Sequence, residues 1–165
     1  MIQQQIKDAI RDIHDFPKPG IIFKDITPIL KDPALCSNIT DAFLDQLKGA
    51  KIDAIAGVES RGFLFGLTLA TKLGVPFIPV RKAGKLPHTV NQKVYELEYG
   101  TATIEIHTDA FNTGDHILIH DPWVEDERQE TILDAANIPV PHGIFMNMAQ
   151  FGRDGLRAAI TIGKR

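Results

Sequence analysis

The sequence predicts an α/β fold, and three observations carry that reading. A short apolar run, Ile52-Asp53-Ala54-Ile55-Ala56-Gly57-Val58, ends in the polar turn Glu59-Ser60-Arg61-Gly62. A helical pattern then runs from Phe63 to Leu73 and stops at Gly74, so strand, tight turn and helix form one βα unit. Val75–Val80 and Asp115–Asp121 are two further apolar runs of the buried-strand type, the second ending in an acid. Open sheets of this kind bind ligands outside the carboxyl ends of their strands.

Local patterns place the other elements along the chain. Ile2, Ile6, Ile10 and Ile13 recur at helical spacing and predict an opening amphipathic helix, broken at Asp15-Phe16-Pro17-Lys18-Pro19-Gly20. Ile21-Ile22-Phe23-Lys24-Asp25-Ile26-Thr27-Pro28 reads as a long apolar loop with Pro28 as a stop, and an apolar loop covers something. Asp32-Pro33 is a cap followed by proline at the first helical position, and Leu35, Ile39, Phe43 and Leu47 repeat along the helix it opens. Pro76 and Pro79 place the Val75–Val80 strand near an edge, or let it meet the sheet over only part of its length. The alternating segments 93–98 and 101–106, separated by Tyr99-Gly100, read as a β-hairpin. A short helix ending near Ala136 and a last strand between Gly143 and Met148 complete the reading of 1–165 as a single domain without repeats or linkers.

Composition narrows the function classes. The chain has 165 residues, 24% charged and 44% hydrophobic, which is globular composition with length for one core. A formal net charge of -3 provides no global basic field for nucleic acid. No apolar run approaches the roughly 18 to 20 residues of a membrane span, and the first residues lack signal-peptide order, so a cytoplasmic protein is expected. The single cysteine, Cys36, fits a reducing compartment and reads as an inert thiol. The six histidines show no zinc-ligand spacing; His116 and His120 share a strand face without a third ligand nearby. Gly57, Gly62 and Gly66 do not make a dinucleotide fingerprint, and no P-loop is present.

Three features can carry chemistry. At Glu59-Ser60-Arg61-Gly62 the backbone amides of a helix start, a hydroxyl and a guanidinium together can hold an anion; the alternative is a Ser cap with a solvent-facing Arg. Arg81, Lys82 and Lys85 form a cationic loop suited to phosphate or pyrophosphate, or a solvated basic turn. Glu98 and Tyr99 offer a carboxylate and a phenol at a hairpin turn, placed to reach over a ligand or simply to cap the hairpin.

Four motifs taken in order resemble the adenine phosphoribosyltransferase family of type I phosphoribosyltransferases. They are Phe16-Pro17-Lys18-Pro19-Gly20-Ile21-Ile22-Phe23-Lys24-Asp25-Ile26-Thr27-Pro28, Glu59-Ser60-Arg61-Gly62-Phe63, Val80-Arg81-Lys82-Ala83-Gly84-Lys85-Leu86-Pro87 and Tyr95-Glu96-Leu97-Glu98-Tyr99-Gly100. The resemblance spans residues 1–121. It implies a mainly parallel central sheet flanked by helices, a hood, a flexible hairpin and a homodimer. The implied activity is purine salvage, the transfer of ribose 5-phosphate from phosphoribosyl pyrophosphate, carried with Mg2+, to adenine, giving AMP and pyrophosphate. Carried over by position, Ile22, Phe23 and Lys24 form the adenine site, with Phe23 stacking on the base. Ser60, Arg61, Arg81, Lys82 and Lys85 bind pyrophosphate. Arg81, Glu98 and Tyr99 serve catalysis, and Asp121 binds the ribose phosphate. No metal ligand is implied beyond the donor's own Mg2+, and neither nucleic acid nor membrane is an implied partner.

After Asp121 the sequence departs from the family pattern. The family's second acid and its Ala-Thr-Gly-Gly-Thr phosphate loop are replaced by Pro122-Trp123-Val124-Glu125-Asp126-Glu127-Arg128-Gln129, so the 5-phosphate loop at 125–129 is not preserved. Glycine-dependent nest geometry has no glycine there, and three carboxylates would face a dianion. Three readings stay open: an enzyme with a rebuilt phosphate loop, a relative that binds adenine or a nucleotide as a sensor without turnover, or a chain altered after Asp121. Gly152-Arg153-Asp154 with Leu156 resembles the family's closing segment.

Overall fold

The computed structural model describes residues 2–97, 100–112, 114–120 and 143–146. They fall into two compact units, residues 2–48 and the described residues from 49 onward. In chain order the first holds α1 (Ile2–Ala9), β1 (Arg11–His14), β2 (Ile22–Asp25), α2 (Thr27–Leu30) and α3 (Pro33–Gln46). The second holds β3 (Ala54–Val58), α4 (Arg61–Leu73), β4 (Phe77–Lys82), β5 (Val90–Leu97), β6 (Gly100–His107), β7 (Ile117–His120) and β8 (Gly143–Met146).

The opening helix is shorter than its isoleucine spacing predicts. α1 ends at Ala9, and Ile13 lies instead on β1, paired antiparallel with Phe23 of β2. Residues 21–28 are correspondingly not a loop. The reason is charge placed across the ladder: Arg11 opposes Asp25 and Asp12 opposes Lys24, both as ion pairs, at 2.7 Å and 2.6 Å. Opposite charges on facing residues stabilise an antiparallel pair, and an eight-residue helix is marginal enough to yield to them. Pro28 is not a stop either, for it occupies the first turn of α2, where a missing N–H costs nothing.

α3 forms where its cap and period place it. The Asp32 side chain accepts the Leu35 N–H at 3.0 Å, and Leu35, Ile39 and Phe43 are buried along one face, with Leu47 at the C-cap. Ile6 of α1 and Ile29 of α2 are buried as well, and the three helices of this unit touch one another. The Cys36 Sγ donates to the Ile29 carbonyl oxygen at 3.3 Å, and burial, with the Asp32 charge second, pushes the thiol's pKa up, which makes it unreactive.

In the second unit the strand order is β5-β6-β4-β3-β7-β8. β4, β3, β7 and β8 run parallel, and the β5–β6 hairpin joins β4 antiparallel, so a parallel centre carries an antiparallel extension. β4 is inside the sheet, yet β6 pairs only with its last two residues, Arg81 and Lys82. Pro79, which has no N–H to give, precedes that paired stretch. One sheet face packs Ala54, Ala56, Val80, Ile104, Ile106, Ile117 and Ile119 into a cluster completed by Val58, Ile78, Ala110 and Phe111.

On the other face α4 lies close to the strands, and glycine makes this possible. A Cβ at Gly62 would collide with the His120 carbonyl oxygen, and one at Gly66 would stand 2.9 Å from the Phe77 ring. α4 ends at Gly74 in the left-handed conformation at φ 69°, with the Val75 N–H returning to the Ala70 carbonyl at 3.0 Å. At the opposite edge of the sheet the Asp53 carboxylate accepts the His116 backbone N–H at 2.8 Å and lies 2.9 Å from its Nδ1, tying the approach to β3 to that of β7. Among the described residues no helix is long and apolar enough to cross a membrane.

This packing makes two measurable demands. Gly62→Ala should lower stability in urea denaturation by ~1–3 kcal/mol, because the clash is with backbone and cannot be relieved by a rotamer. The His116 amide holds the Asp53 carboxyl below its ordinary pKa; His116's side chain and Lys51 add to this against a smaller effect of burial. A depressed carboxyl stabilises above the unfolded value near ~3.9 and loses that contribution as pH falls through the folded value. The stability difference between wild type and Asp53→Asn should therefore be full at neutral pH and shrink below about pH 4 in thermal unfolding scans.

Candidate functional site

In the second unit the turn after β3 and the end of β4 come together around one carboxylate. The Glu59 N–H donates to the Val80 carbonyl at 2.8 Å, fixing the turn to β4. The Glu59 carboxylate accepts from Arg81 Nε and Nη2, each at 3.3 Å, and from the Lys82 backbone N–H at 3.0 Å, with Lys85 Nζ at 3.4 Å. Burial pushes the Glu59 carboxyl up, but the Lys82 amide and the Arg81 and Lys85 charges together outweigh it, and the pKa is lowered. Glu59 is therefore ionised at neutral pH and holds two cations above the carboxyl end of the parallel strands.

Ser60 sits at the N-cap of α4 with an exposed side chain that makes no capping hydrogen bond. The capping alternative is thereby removed, and Ser60 stands at a helix start, where an anion is favoured. Arg61, the first residue of α4, is half-buried. Lys82 is exposed, while its backbone serves Glu59. The sequence-predicted residues Ser60, Arg61, Arg81, Lys82 and Lys85 thus share one strand edge, and the arrangement can neutralise a polyanion.

Glu105 of β6, to which the sequence pattern assigns no role, proves central to the basic loop. It is 1% exposed, and its carboxylate accepts the backbone N–H groups of Gly84 at 3.0 Å, Lys85 at 2.7 Å and Leu86 at 2.7 Å, and Gln92 Nε2 at 3.0 Å. The Gly84 amide, opposed by burial and joined by the other three donors, lowers its pKa to about 2. The signal available in sequence is an acid between Ile104 and Ile106 in a strand that comes after a basic loop.

In the first unit the residues expected to receive a base lie on β2. Ile22 is 50% exposed. Phe23 is half-buried and packs edge-to-face on Phe16, with ring centroids 5.3 Å apart at 74°. The Lys24 ammonium is held by both Asp12 oxygens, at 2.6 Å and 2.7 Å. Behind them Asp25 is a structural anchor: its carboxylate takes Arg11 at 2.7 Å and the Thr27 N–H at 2.9 Å. The Thr27 amide and hydroxyl are the main reason its pKa is lowered. An apolar, aromatic surface on a strand pinned at its carboxyl end by two ion pairs suits a flat heterocycle. Glu98, Tyr99, Asp121 and the 125–129 segment lie outside the described residues.

Known proteins match this chain in two ways. Residues 102–163 match a family model described as Peptidase_C39 like family. An adenine phosphoribosyltransferase of Cytophaga hutchinsonii is 57% identical over 121 residues, 73% of this chain and 67% of that protein. One from Citrifermentans bemidjiense is 52% identical over 118 residues, 72% and 69% of the two chains. The crystal structure of adenine phosphoribosyltransferase from Rhodothermus marinus matches with a TM-score of 0.78 and 41% identity, covering 96% of this chain and 94% of that one. The Saccharomyces cerevisiae enzyme, complexed with an imino-altritol bisphosphate and adenine, gives a TM-score of 0.78 at 38% identity over 95% of each chain. The chain belongs to the adenine phosphoribosyltransferase family.

Proposed function

We propose that the chain acts in purine salvage, transferring ribose 5-phosphate from phosphoribosyl pyrophosphate to adenine to give AMP and pyrophosphate, as a cytoplasmic homodimer. The observation that carries this reading is the gathering of Arg81, Lys85 and the Lys82 amide on Glu59, beside the free N-cap of Ser60 and the start of α4. Family membership supports it over the non-catalytic alternative.

In the reaction the bond from C1 of the ribose to the pyrophosphate oxygen breaks, and its electron pair leaves with pyrophosphate. A ring nitrogen of adenine supplies the pair for the new C–N bond, and its proton departs. The barrier is lowered by stabilising charge on the leaving group, and Arg81, Lys82 and Lys85, with Ser60 and Arg61, are the groups that do so. Magnesium enters on the donor's phosphates as part of the substrate. Among the described residues no cluster of three or more His, Cys, Asp or Glu side chains is arranged to hold a metal ion. Phe23 stacks on adenine, with Ile22 and Lys24 beside it. In this reading Glu98 and Tyr99 serve catalysis and Asp121 binds the ribose phosphate.

Calorimetric titration of phosphoribosyl pyrophosphate with magnesium, then of adenine, tests the reading. Saturable binding of both supports it, and adenine or AMP binding without donor binding overturns it in favour of a sensor. Arg81→Ala should weaken donor binding by about tenfold or more while adenine binding is unchanged. Phe23→Ala should do the reverse, weakening adenine binding by ~10-fold through lost stacking. Replacing residues 125–129 by Ala-Thr-Gly-Gly-Thr should change turnover little; a large gain would show that the native segment is the defect.

A further inference from the structure

Glu105 is buried, and the hydrogen bonds its carboxylate accepts come from amides rather than from a cationic side chain. Its four hydrogen bonds come from three successive backbone amides and one side-chain amide, which fill the acceptor sites of a carboxylate. Three consecutive N–H groups converging on one anion form a nest, and here the anion is supplied by the chain itself. Gly84, at φ 80°, provides the left-handed residue that turns the backbone into it.

The consequence runs outward from Lys85. With its N–H on Glu105, the Lys85 carbonyl accepts Arg81 Nη1 at 3.3 Å, while its Nζ reaches Glu59 at 3.4 Å. Arg81 is itself the direct strand partner of Glu105. One buried carboxylate therefore fixes the segment whose carbonyl orients the Arg81 guanidinium and whose side chain completes the cationic cluster.

We propose that Glu105 is a positioning residue for pyrophosphate, holding residues 84–86 so that Arg81 and Lys85 meet the donor already in place. The inference rests on the transferase reading above and deepens it. The cluster would otherwise be a flexible loop of like charges, and ordering it on binding would cost side-chain and backbone entropy.

The test compares wild type, Glu105→Gln and Gln92→Ala. Wild-type donor binding is measured first, because its absence overturns the functional reading and the proposal with it. Glu105→Gln keeps the volume but places an amide donor where three N–H groups need acceptors. Its amides at 84–86 should exchange with deuterium faster while those of the β5–β6 ladder do not. Its KM for phosphoribosyl pyrophosphate should rise by about 10- to 100-fold with a smaller fall in kcat, and the adenine KM should stay within about twofold. Gln92→Ala, which leaves all three backbone bonds, should show a smaller rise in the same direction, and it carries the test if Glu105→Gln does not fold. Equal losses for adenine and donor, or an unchanged donor KM despite faster exchange at 84–86, overturn the proposal.

Discussion

The close approach of α4 to the parallel strands is the constraint on which the rest of the second unit depends. A helix that leaves a strand through a two-residue turn can start above the neighbouring strand's end only if no side chain intervenes. Gly62 meets the His120 carbonyl, and Gly57 and Gly66 leave room for the Phe77 ring, so backbone and ring occupy space that any Cβ would fill. With α4 seated there, its first amides and Ser60 stand at the carboxyl edge of β3. The three glycines do not form a dinucleotide fingerprint because their role is packing; the anion-binding property comes from the helix start they allow.

Charge is organised around that edge by two carboxylates of different kinds. Glu59 is partly reached by solvent and meets side-chain cations, so an incoming polyanion competes with it for the same guanidinium and ammonium groups. Glu105 is sealed in the sheet and meets backbone amides, which an incoming anion cannot recruit without unfolding the loop. The first sets the resting position of the cations and the second sets the backbone that carries them. Asp25 plays the corresponding part in the first unit, where it binds Arg11 and the start of α2 so that β2 keeps its strand form.

Much of this was legible in sequence where a local rule decided the outcome. The Asp32 cap, the helix stop at Gly74 and the alternating hairpin each depend on neighbours in the chain. The errors fell where distant partners decided. Ile13 continues a helical period, yet pairing with Phe23 and two cross-strand ion pairs draws it into β1. Residues 21–28 look like a loop because prolines flank them, and only the β1 partner makes 22–25 a strand. Among site residues, Arg81, Lys82 and Lys85 announce themselves by charge. Glu105 does not, because a lone acid in an alternating strand reads as solvent-facing until the loop that covers it is known.

The two similarities divide the proposed chemistry unequally. An alignment over 121 residues and a match over residues 102–163 must share part of the chain, since it has only 165 residues. The shared stretch therefore lies within 102–163, a range that contains Glu105 and β7. Both pieces needed to hold a polyanion, the 59–61 turn and the 81–86 loop, precede that range in the chain. They are fixed to each other by Glu59, and the loop is fixed to the sheet by Glu105. The residues proposed to hold pyrophosphate therefore all precede β7 in the chain. The stretch that the resemblance assigns to the 5-phosphate follows Asp121, where three carboxylates stand within 125–127. At about 5 Å and an effective dielectric near 20, each unit-charge repulsion with a phosphate would cost ~3 kcal/mol. In the proposed reading the donor's two anionic ends are therefore met by separate stretches of the chain, and the pyrophosphate end is the one whose residues Glu59 and Glu105 hold in place.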